Sequence, residues 1–163
     1  MGIYFNMRGR KLFTNIKISI LSTIILCTYF CTYRVEPEKV YGLRSKIVGL
    51  CKSLVGIPYR YGGDDIDGFD CSGFVYYVYD SFGVKIPRNA KKQGKIRYRM
   101  RFKHARPGDI VVFKLKRGWH TGIYMNKRCF IHSPKKKEAV RTEQFSSYWK
   151  GRLKSVINVI DNL

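Results

Sequence analysis

One stretch constrains the fold more than any other, because it places a cysteine at a predicted helix start directly behind a glycine-rich loop. The stretch is GIPYRYGGDDIDGFDCSGFV, residues 56–75. After Cys71 the apolar side chains recur at helical spacing, at Phe74, Val75, Val78 and Phe82. Asp70 is a favourable N-cap, and Gly83 is a favourable stop. The pattern therefore predicts an amphipathic helix whose first residue is Cys71.

This position makes Cys71 a candidate nucleophile. The dipole and unpaired N–H groups of a helix N-terminus favour a thiolate, which is the reactive form of cysteine. The loop glycines Gly62, Gly63 and Gly68 would let a substrate approach the backbone closely. A cysteine in this setting, with histidines further along the chain, is typical of covalent catalysis.

The charge of the chain points to an anionic partner. The 163 residues carry 32 Lys and Arg against 11 Asp and Glu, a formal net charge of +21. An anionic membrane surface, nucleic acid or an acidic polymer such as a cell wall would each fit, and so would a merely well-solvated surface. The sequence contains no nucleic-acid-binding motif, so we expect no specific nucleic acid. We expect a monomer.

The N-terminal part has the pattern of a targeting segment. Residues 1–17 are basic without an acid, and residues 18–33, ISILSTIILCTYFCTY, carry no charge. We predict a signal peptide or membrane anchor over 1–34, a linker over 35–42 and a catalytic domain over 43–163. The protein would then be exported to the cell envelope, in the periplasm or outside, either after cleavage or anchored in the inner membrane. A buried helix of a cytosolic domain is the alternative.

The rest of the chain predicts helices first and strands afterwards. A helix is expected over Ser45–Val55, followed by the Cys71 helix. The basic segment 91–106 has no apolar period and is predicted to be a loop or polar helix on a substrate-facing surface. Strands are predicted at residues 110–113, 120–125, 129–132, 139–141 and 155–160. This order predicts an α+β fold with an antiparallel sheet of about five strands.

Two of the three histidines flank one predicted hairpin. His120 opens a strand and His132 ends the next one, so a short turn brings them near each other. With Cys71 they would form a triad in which His120 takes the thiol proton and His132 orients His120. Zinc ligation by the same three residues, or purely structural histidines, are the alternatives. His104 is expected on the surface.

The remaining cysteines give no sign of a disulfide framework or a metal site. The five cysteines include no CxxC pair. We predict that Cys51 and Cys129 are buried in the core. No metal and no cofactor is expected.

These residues together resemble the NlpC/p60 family of cysteine peptidases, which cleave peptidoglycan stem peptides. The resemblance covers roughly residues 43–160. It is carried by GIPYRYGG (56–63), GFDCSGFV (68–75), VKIPR (84–88), RPGDIVVF (106–113), HTGIY (120–124), CFIHSP (129–134) and YWKGRL (148–153). The order Cys, His, His argues against circularly permuted acyltransferase relatives.

The resemblance implies a papain-like α+β fold and assigns roles to residues. The Cys helix would pack on an antiparallel sheet that carries both histidines. Cys71 would be the nucleophile, His120 the base and His132 the third member of the triad. The hydroxyl of Tyr59 would help to form the oxyanion site.

The resemblance also implies a substrate. Asp70 and Ser72 match family positions that line the cleft, and we assign Arg60 to substrate binding with them. The usual bond lies between D-glutamate and the diamino acid of the stem peptide. Thr121 departs from the valine that often follows the first histidine, but strand alternation turns it away from the His120 face.

Two other readings stay open at this point. The first is a basic envelope-binding protein with a relic triad. The second is an amidase of the same family type that acts on another acyl substrate.

Overall fold

The computed structural model of the protein describes residues 37–163. The predicted signal peptide or anchor, residues 1–34, lies outside the described residues. Residues Val40–Leu163 form one compact unit. Within residues 37–163, no helix combines the length and the apolar character needed to cross a membrane. The domain boundaries stay a prediction.

The first helix, α1, begins earlier than predicted. It spans Pro37–Ser53 and therefore takes in part of the predicted linker rather than starting at Ser45. Proline suits the first helical position, because its missing N–H would have no intrahelical acceptor there. The apolar stripe also extends further back than predicted at three- and four-residue spacing, at Val40, Leu43, Ile47, Cys51 and Leu54.

The glycine-rich loop folds into a tight hairpin. Strands β1 (Asp64–Asp65) and β2 (Gly68–Phe69) pair antiparallel. Gly68 has a φ of +156°, and a Cβ at this position would lie 2.6 Å from the Cβ of Arg60. Glycine is required here both by the backbone conformation and by the close packing of the Arg60 side chain.

The predicted cysteine helix, α2, spans Cys71–Asp80 with Asp70 as its N-cap. The chain then turns at Ser81, before Phe82, and Gly83 adopts a positive φ of 72° in that turn. Helix α3 (Ala90–Gln93) follows after a short connection.

A six-stranded antiparallel sheet forms the second half of the unit. Its strands lie in the order β3-β8-β4-β5-β6-β7. They span β3 (Arg99–Met100), β4 (Ile110–Leu115), β5 (Gly118–Tyr124), β6 (Cys129–His132), β7 (Arg141–Gln144) and β8 (Leu153–Ile157). Helix α4 (Ser147–Lys150) connects β7 to β8, and 3-10 turns occupy Phe102–His104 and Ile160–Asn162. The predicted α+β fold with an antiparallel sheet is confirmed.

The sheet differs from the prediction mainly in three strands. The last strand, predicted at residues 155–160, lies at Leu153–Ile157. The additional strand β3 lies in the basic segment 91–106, where only a loop or polar helix was predicted. The strand predicted at residues 139–141 begins only at Arg141. The reason is that Val140 exchanges backbone hydrogen bonds with the loop at residues 56–57, so it is not free to pair with β6.

The two faces of the sheet pack against different partners. One face meets α1 and α2 through a core that includes Phe74, Ile110, Ile123 and Ile131. The other face carries an aromatic cluster, defined by Phe113, Tyr124, Phe130, Phe145 and Trp149. Because side chains alternate along β5, His120 points to the aromatic cluster and Thr121 points to the helices.

A buried ion-pair network fixes α1 to the start of β4. The guanidinium of Arg44, 5% exposed, donates to Asp109 Oδ1 at 3.0 Å and to Asp161 Oδ1 at 2.8 Å. It also donates to the carbonyl of Pro107 at 2.7 Å and to Asn158 Oδ1 at 3.0 Å. Burial raises the pKa of Asp109 although Arg44 counteracts the shift, so this carboxylate depends on its partner.

Replacing Arg44 with methionine should destabilise the protein strongly. The change leaves the fully buried Asp109 carboxylate without its counter-ion, which costs on the order of 3–5 kcal/mol. Urea unfolding of the full chain measures the loss. Lys46→Met, on the exposed face of the same helix, is the matched control and should leave stability nearly unchanged. Equal stability of the two variants would contradict this role for Arg44.

Candidate active site

Cys71 stands at the first position of α2, and Asp70 holds the start of that helix in place. Asp70 Oδ1 accepts the N–H of Gly73 at 2.7 Å and the hydroxyl of Ser72 at 3.1 Å. Gly73 has no room for a side chain, because a Cβ there would collide with the carbonyl of Gly63 and with the guanidinium of Arg88. The helix start therefore packs directly against the glycine-rich loop.

The Cys71 thiol lies against strand β5, beside the residue that follows His120. Burial raises the pKa of the Cys71 thiol, the backbone N–H of Thr121 lowers it, and the carboxylate of Asp70 raises it again. The net direction is upward. This outcome runs against the thiolate expected from the helix position alone, because desolvation outweighs the helix N-terminus.

The structure brings His120 and His132 into direct contact, as their positions in one hairpin predict. Nε2 of His120 lies 2.6 Å from Nδ1 of His132, and the two rings are nearly perpendicular. The glycine between them on the same face makes this contact feasible. A Cβ at Gly122 would lie 3.1 Å from the Cβ of His132 and 2.9 Å from the Phe130 ring.

Both imidazoles are buried and neutral. Burial lowers the pKa of His120 to about 4, although the Asp70 carboxylate favours its charged form. Burial, then the charges of His120 and Arg141, lower the pKa of His132 to about 2. The indole of Trp149 covers both rings, with centroids 5.5 Å from His120 and 5.3 Å from His132. The resting pair beside Cys71 is thus two uncharged rings shielded from water.

Cys71 and His120 open into one cleft of about 790 Å³. One wall comes from the glycine-rich loop and α2, and the opposite wall comes from the β4–β5 hairpin. Its lining includes Tyr59, Tyr61, Asp64, Asp70, Ser72, Arg88, Leu115, Arg117 and Trp119. Burial raises the pKa of the Tyr59 hydroxyl, and the nearby Cys71 and Asp70 raise it further. Tyr59 therefore keeps its proton and stays a hydrogen-bond donor in the cleft.

Sequence reasoning assigned no role to Arg88, which links the acids of the cleft. Its guanidinium donates to Asp70 Oδ1 at 2.9 Å and to Asp70 Oδ2 at 3.0 Å. It also donates to Asp64 Oδ2 at 3.0 Å and to the carbonyl of Gly63 at 2.8 Å. Burial would raise the pKa of Asp70, but the bonds from Arg88 and Gly73 outweigh it and lower the pKa. The signal in the sequence was the cluster of acids, which needed a cation.

Arg60 is not brought together with the other predicted site residues. It is exposed, and its Nη2 pairs with both oxygens of Asp65 at 2.6 Å. Tyr59 and Tyr61 line the cleft, whereas Arg60 between them does not. Arg60 braces the β1–β2 hairpin from outside the cleft.

The other residues singled out in the sequence lie away from this centre. His104 is exposed, and Cys51 is fully buried in the core. Cys129, predicted to be buried, is only partly buried because it opens β6 at the sheet margin, directly after the turn. Over residues 37–163, no three His, Cys, Asp or Glu side chains are grouped so that they could hold a metal ion.

Because the site disfavours charge on both Cys71 and His120, we expect Cys71 to stay a thiol at neutral pH. The ultraviolet absorbance of the thiolate that is lost in Cys71→Ala should appear only above the ordinary thiol pKa of about 8.5. The raised pKa of Cys71 and the lowered pKa of His120 give this direction. Cys129→Ala is the control, because its difference spectrum reports a cysteine outside the cleft. A Cys71 thiolate signal already present at pH 6 would reveal a preformed ion pair instead.

Comparison with known proteins identifies the family. The NlpC/P60 family profile matches residues 56–158. The probable endopeptidase NlpC of Escherichia coli (strain K12) is 39% identical over 103 residues, which cover 61% of this chain and 67% of that protein. Murein DD-endopeptidase MepS/Murein LD-carboxypeptidase of the same strain is 30% identical over 120 residues, which cover 72% of this chain and 64% of that protein. The chain thus spans about two thirds of the length of these curated relatives.

The solved structures agree with this assignment. The crystal structure of the NlpC/p60 domain of the peptidoglycan hydrolase SagA matches with a TM-score of 0.63 at 27% identity, covering 71% of this chain and 98% of that domain. These relatives are named as endopeptidases and hydrolases, so the predicted family and its enzyme class are confirmed. The chain belongs to the NlpC/P60 family of peptidoglycan endopeptidases and has the papain-like α+β fold of its structural neighbours.

Proposed function

We propose that this protein is a thiol endopeptidase that hydrolyses peptidoglycan stem peptides with Cys71, His120 and His132. The observation that carries the proposal is the shared cleft, in which Cys71 and His120 are exposed to the same space and His132 contacts His120 from behind. The bond between D-glutamate and the diamino acid is the proposed target. Export to the cell envelope by residues 1–34 is part of the proposal, since peptidoglycan lies outside the cytoplasm.

The chemistry begins from a neutral thiol and a neutral imidazole. As the Cys71 sulfur attacks the amide carbonyl, the thiol proton moves to His120. The tetrahedral intermediate carries an oxyanion, which the Tyr59 hydroxyl and the free N–H groups at the start of α2 can stabilise. His120 then returns the proton to the leaving amine, which leaves an acyl-enzyme. Water activated by His120 hydrolyses the thioester and restores the thiol.

The contacts of Asp70 change the substrate-binding role that we assign to it. Its two oxygens already accept five hydrogen bonds, from Gly62, Ser72, Gly73 and twice from Arg88. A carboxylate has about four lone-pair sites, so little capacity is left for a substrate ammonium group. Asp70 and Ser72 would therefore shape the cleft wall. Asp64, which also lines the cleft and is nearly half exposed, is the carboxylate better able to meet a cationic substrate group.

Cleavage of purified peptidoglycan, read by mass spectrometry of the released fragments, tests the proposal. Cys71→Ala should abolish cleavage, and His120→Ala should reduce it by at least about 100-fold because the general base is lost. His132→Ala should retain more activity, since it removes only the group that orients the base. Cys129→Ala and His104→Ala are the matched controls and should cleave like the parent. Undiminished cleavage by Cys71→Ala would refute the mechanism.

The same digestion separates the other two readings. Intact peptidoglycan from a folded parent protein whose Cys71 reacts with small thioesters would point to an amidase with another acyl substrate. A folded parent that acts on neither would point to a binding protein with a relic triad.

We also propose that the basic segment 91–106 attracts the protein to anionic wall polymers or to an anionic membrane surface. The segment starts beside the cleft residue Ala90 and exposes eight cations. Arg106 pairs with Asp161, and the other seven are Lys91, Lys92, Lys95, Arg97, Arg99, Arg101 and Lys103. Within the described part of the chain, none of these seven forms an ion pair with an acid. A field of one sign beside the cleft would raise the local concentration of an anionic polymer.

Binding to isolated cell walls should weaken steeply as salt rises from about 50 to about 500 mM, because screening removes the attraction. Replacing Arg97, Arg101 and Lys103 with glutamine should weaken binding at low salt. The same charge change at Lys136, Lys150 and Lys154, elsewhere on the surface, should weaken it less. Salt-insensitive binding would rule out this role for the charge.

A further inference from the structure

One ring nitrogen of the histidine pair has no hydrogen-bond partner within residues 37–163. This atom is Nε2 of His132, a residue that is 0% exposed. The other ring nitrogen of His132, Nδ1, lies 2.6 Å from Nε2 of His120. The nearest carboxylate oxygen to Nε2 is Oε2 of Glu143, at 3.8 Å. A buried ring nitrogen that is left unpaired is uncommon and calls for an explanation.

The role proposed for His120 decides where the protons of both rings lie. Nε2 of His120 is occupied by His132, so only Nδ1 of His120 is available to take the thiol proton. Nδ1 must then be unprotonated at rest, and the ring proton of His120 must sit on Nε2. That N–H donates to Nδ1 of His132, which forces the proton of His132 onto its own Nε2. The orphaned atom is therefore a hydrogen-bond donor that needs an acceptor.

We propose that Glu143 is a positioning residue that accepts this N–H and so fixes the tautomers of both histidines. The inference rests on the function proposed above. Strands β6 and β7 pair so that His132 faces Arg141 and Phe130 faces Glu143. Glu143 is thus the diagonal neighbour of His132 on the same face, which is within reach of a long side chain. The separation of 3.8 Å is longer than a hydrogen bond, and hydrogen bonds of catalytic groups are often long without substrate.

Arg141 holds Glu143 in place for this role. Its guanidinium donates to Glu143 Oε2 at 2.8 Å and 3.2 Å, and to Glu138 Oε2 at 3.0 Å. The arginine also partly neutralises the negative charge of the carboxylate. Glu143 therefore offers an acceptor without drawing a second proton onto His132, whose own pKa stays far below neutral.

The chain offers a matched control for this residue. Glu143 and Glu138 are both carboxylates bound to Arg141, but only Glu143 approaches His132. Glu143→Ala removes the acceptor, and Glu143→Gln keeps a carbonyl acceptor without the charge. Glu138→Gln removes a charge from the same arginine at a distance from the ring.

Long-range proton–nitrogen NMR of the imidazole rings in the full chain tests the assignment without a substrate. In the parent, Nε2 of both His120 and His132 should be protonated. In Glu143→Ala the His132 tautomers should become mixed. We expect kcat for stem-peptide cleavage to fall about 10- to 100-fold with KM nearly unchanged, the size of effect seen for partners that orient metal-binding histidines. Glu143→Gln should recover most of both signals, and Glu138→Gln should match the parent.

The outcomes keep the two proposals apart. A parent protein with its His132 proton on Nδ1, or an unchanged His132 spectrum and kcat in Glu143→Ala, would overturn the role of Glu143 while Cys71-dependent cleavage stood. The reverse result, with the expected tautomers but no cleavage by the parent, would overturn the proposed function and leave the Glu143–His132 contact intact. Thermal unfolding of each variant separates loss of fold from loss of the contact.

Discussion

The carboxylate of Asp70 is the contact on which the geometry of the cleft depends. It caps α2, accepts the backbone N–H of Gly62 and binds Arg88 with both oxygens. The helix start, the glycine-rich loop and the segment after α2 are therefore tied to one group. Each of these contacts involves a charge, which makes such hydrogen bonds shorter and stronger than neutral ones. These hydrogen bonds hold Asp70 in place, and Asp70 in turn positions Cys71, the next residue, in the cleft.

Burial affects the charge states of Cys71 and His120 more than the N-terminus of helix α2 does. A helix N-terminus favours a thiolate, yet the thiol of Cys71 is desolvated and faces the Asp70 carboxylate. His120 is desolvated as well, so neither partner is charged at rest. A separated ion pair would be costly in this setting, whereas the transfer of a proton during attack creates charge only when the substrate and the oxyanion donors are present. The site is therefore suited to general-base activation of a neutral thiol.

Local sequence signals predicted the parts of the site that depend on near neighbours. The cap at Asp70, the helix after Cys71 and the hairpin that joins His120 to His132 all follow from spacing within about a dozen residues. The parts that were missed depend on distant pairing. Arg88 meets Asp70 only through the packing of the whole loop, and β3 exists only because β8 lies beside it.

The errors have the same physical origin. The strand predicted at residues 139–141 begins later because the backbone N–H and carbonyl of Val140 form hydrogen bonds with the loop at residues 56–57. Arg60 was assigned to substrate binding with Asp70 and Ser72, but its guanidinium pairs with Asp65 outside the cleft lining. Where a side chain points depends on the distant residues that it or its backbone contacts, and these cannot be identified from one sequence alone.

A histidine as the proposed third group of the triad has a physical rationale in this fold. The position behind His120 is wholly buried under Trp149, Phe130 and the sheet, where an ionised carboxylate would be expensive. A neutral imidazole can occupy it, because it accepts on one side and donates on the other. The nearest negative charge is that of the Glu143 carboxylate on the neighbouring strand β7. This side chain is 26% exposed and is bound by Arg141. In the proposed arrangement, His132 would connect the partly exposed carboxylate of Glu143 at the sheet edge to the buried base His120. No carboxylate would then have to be fully buried behind His120.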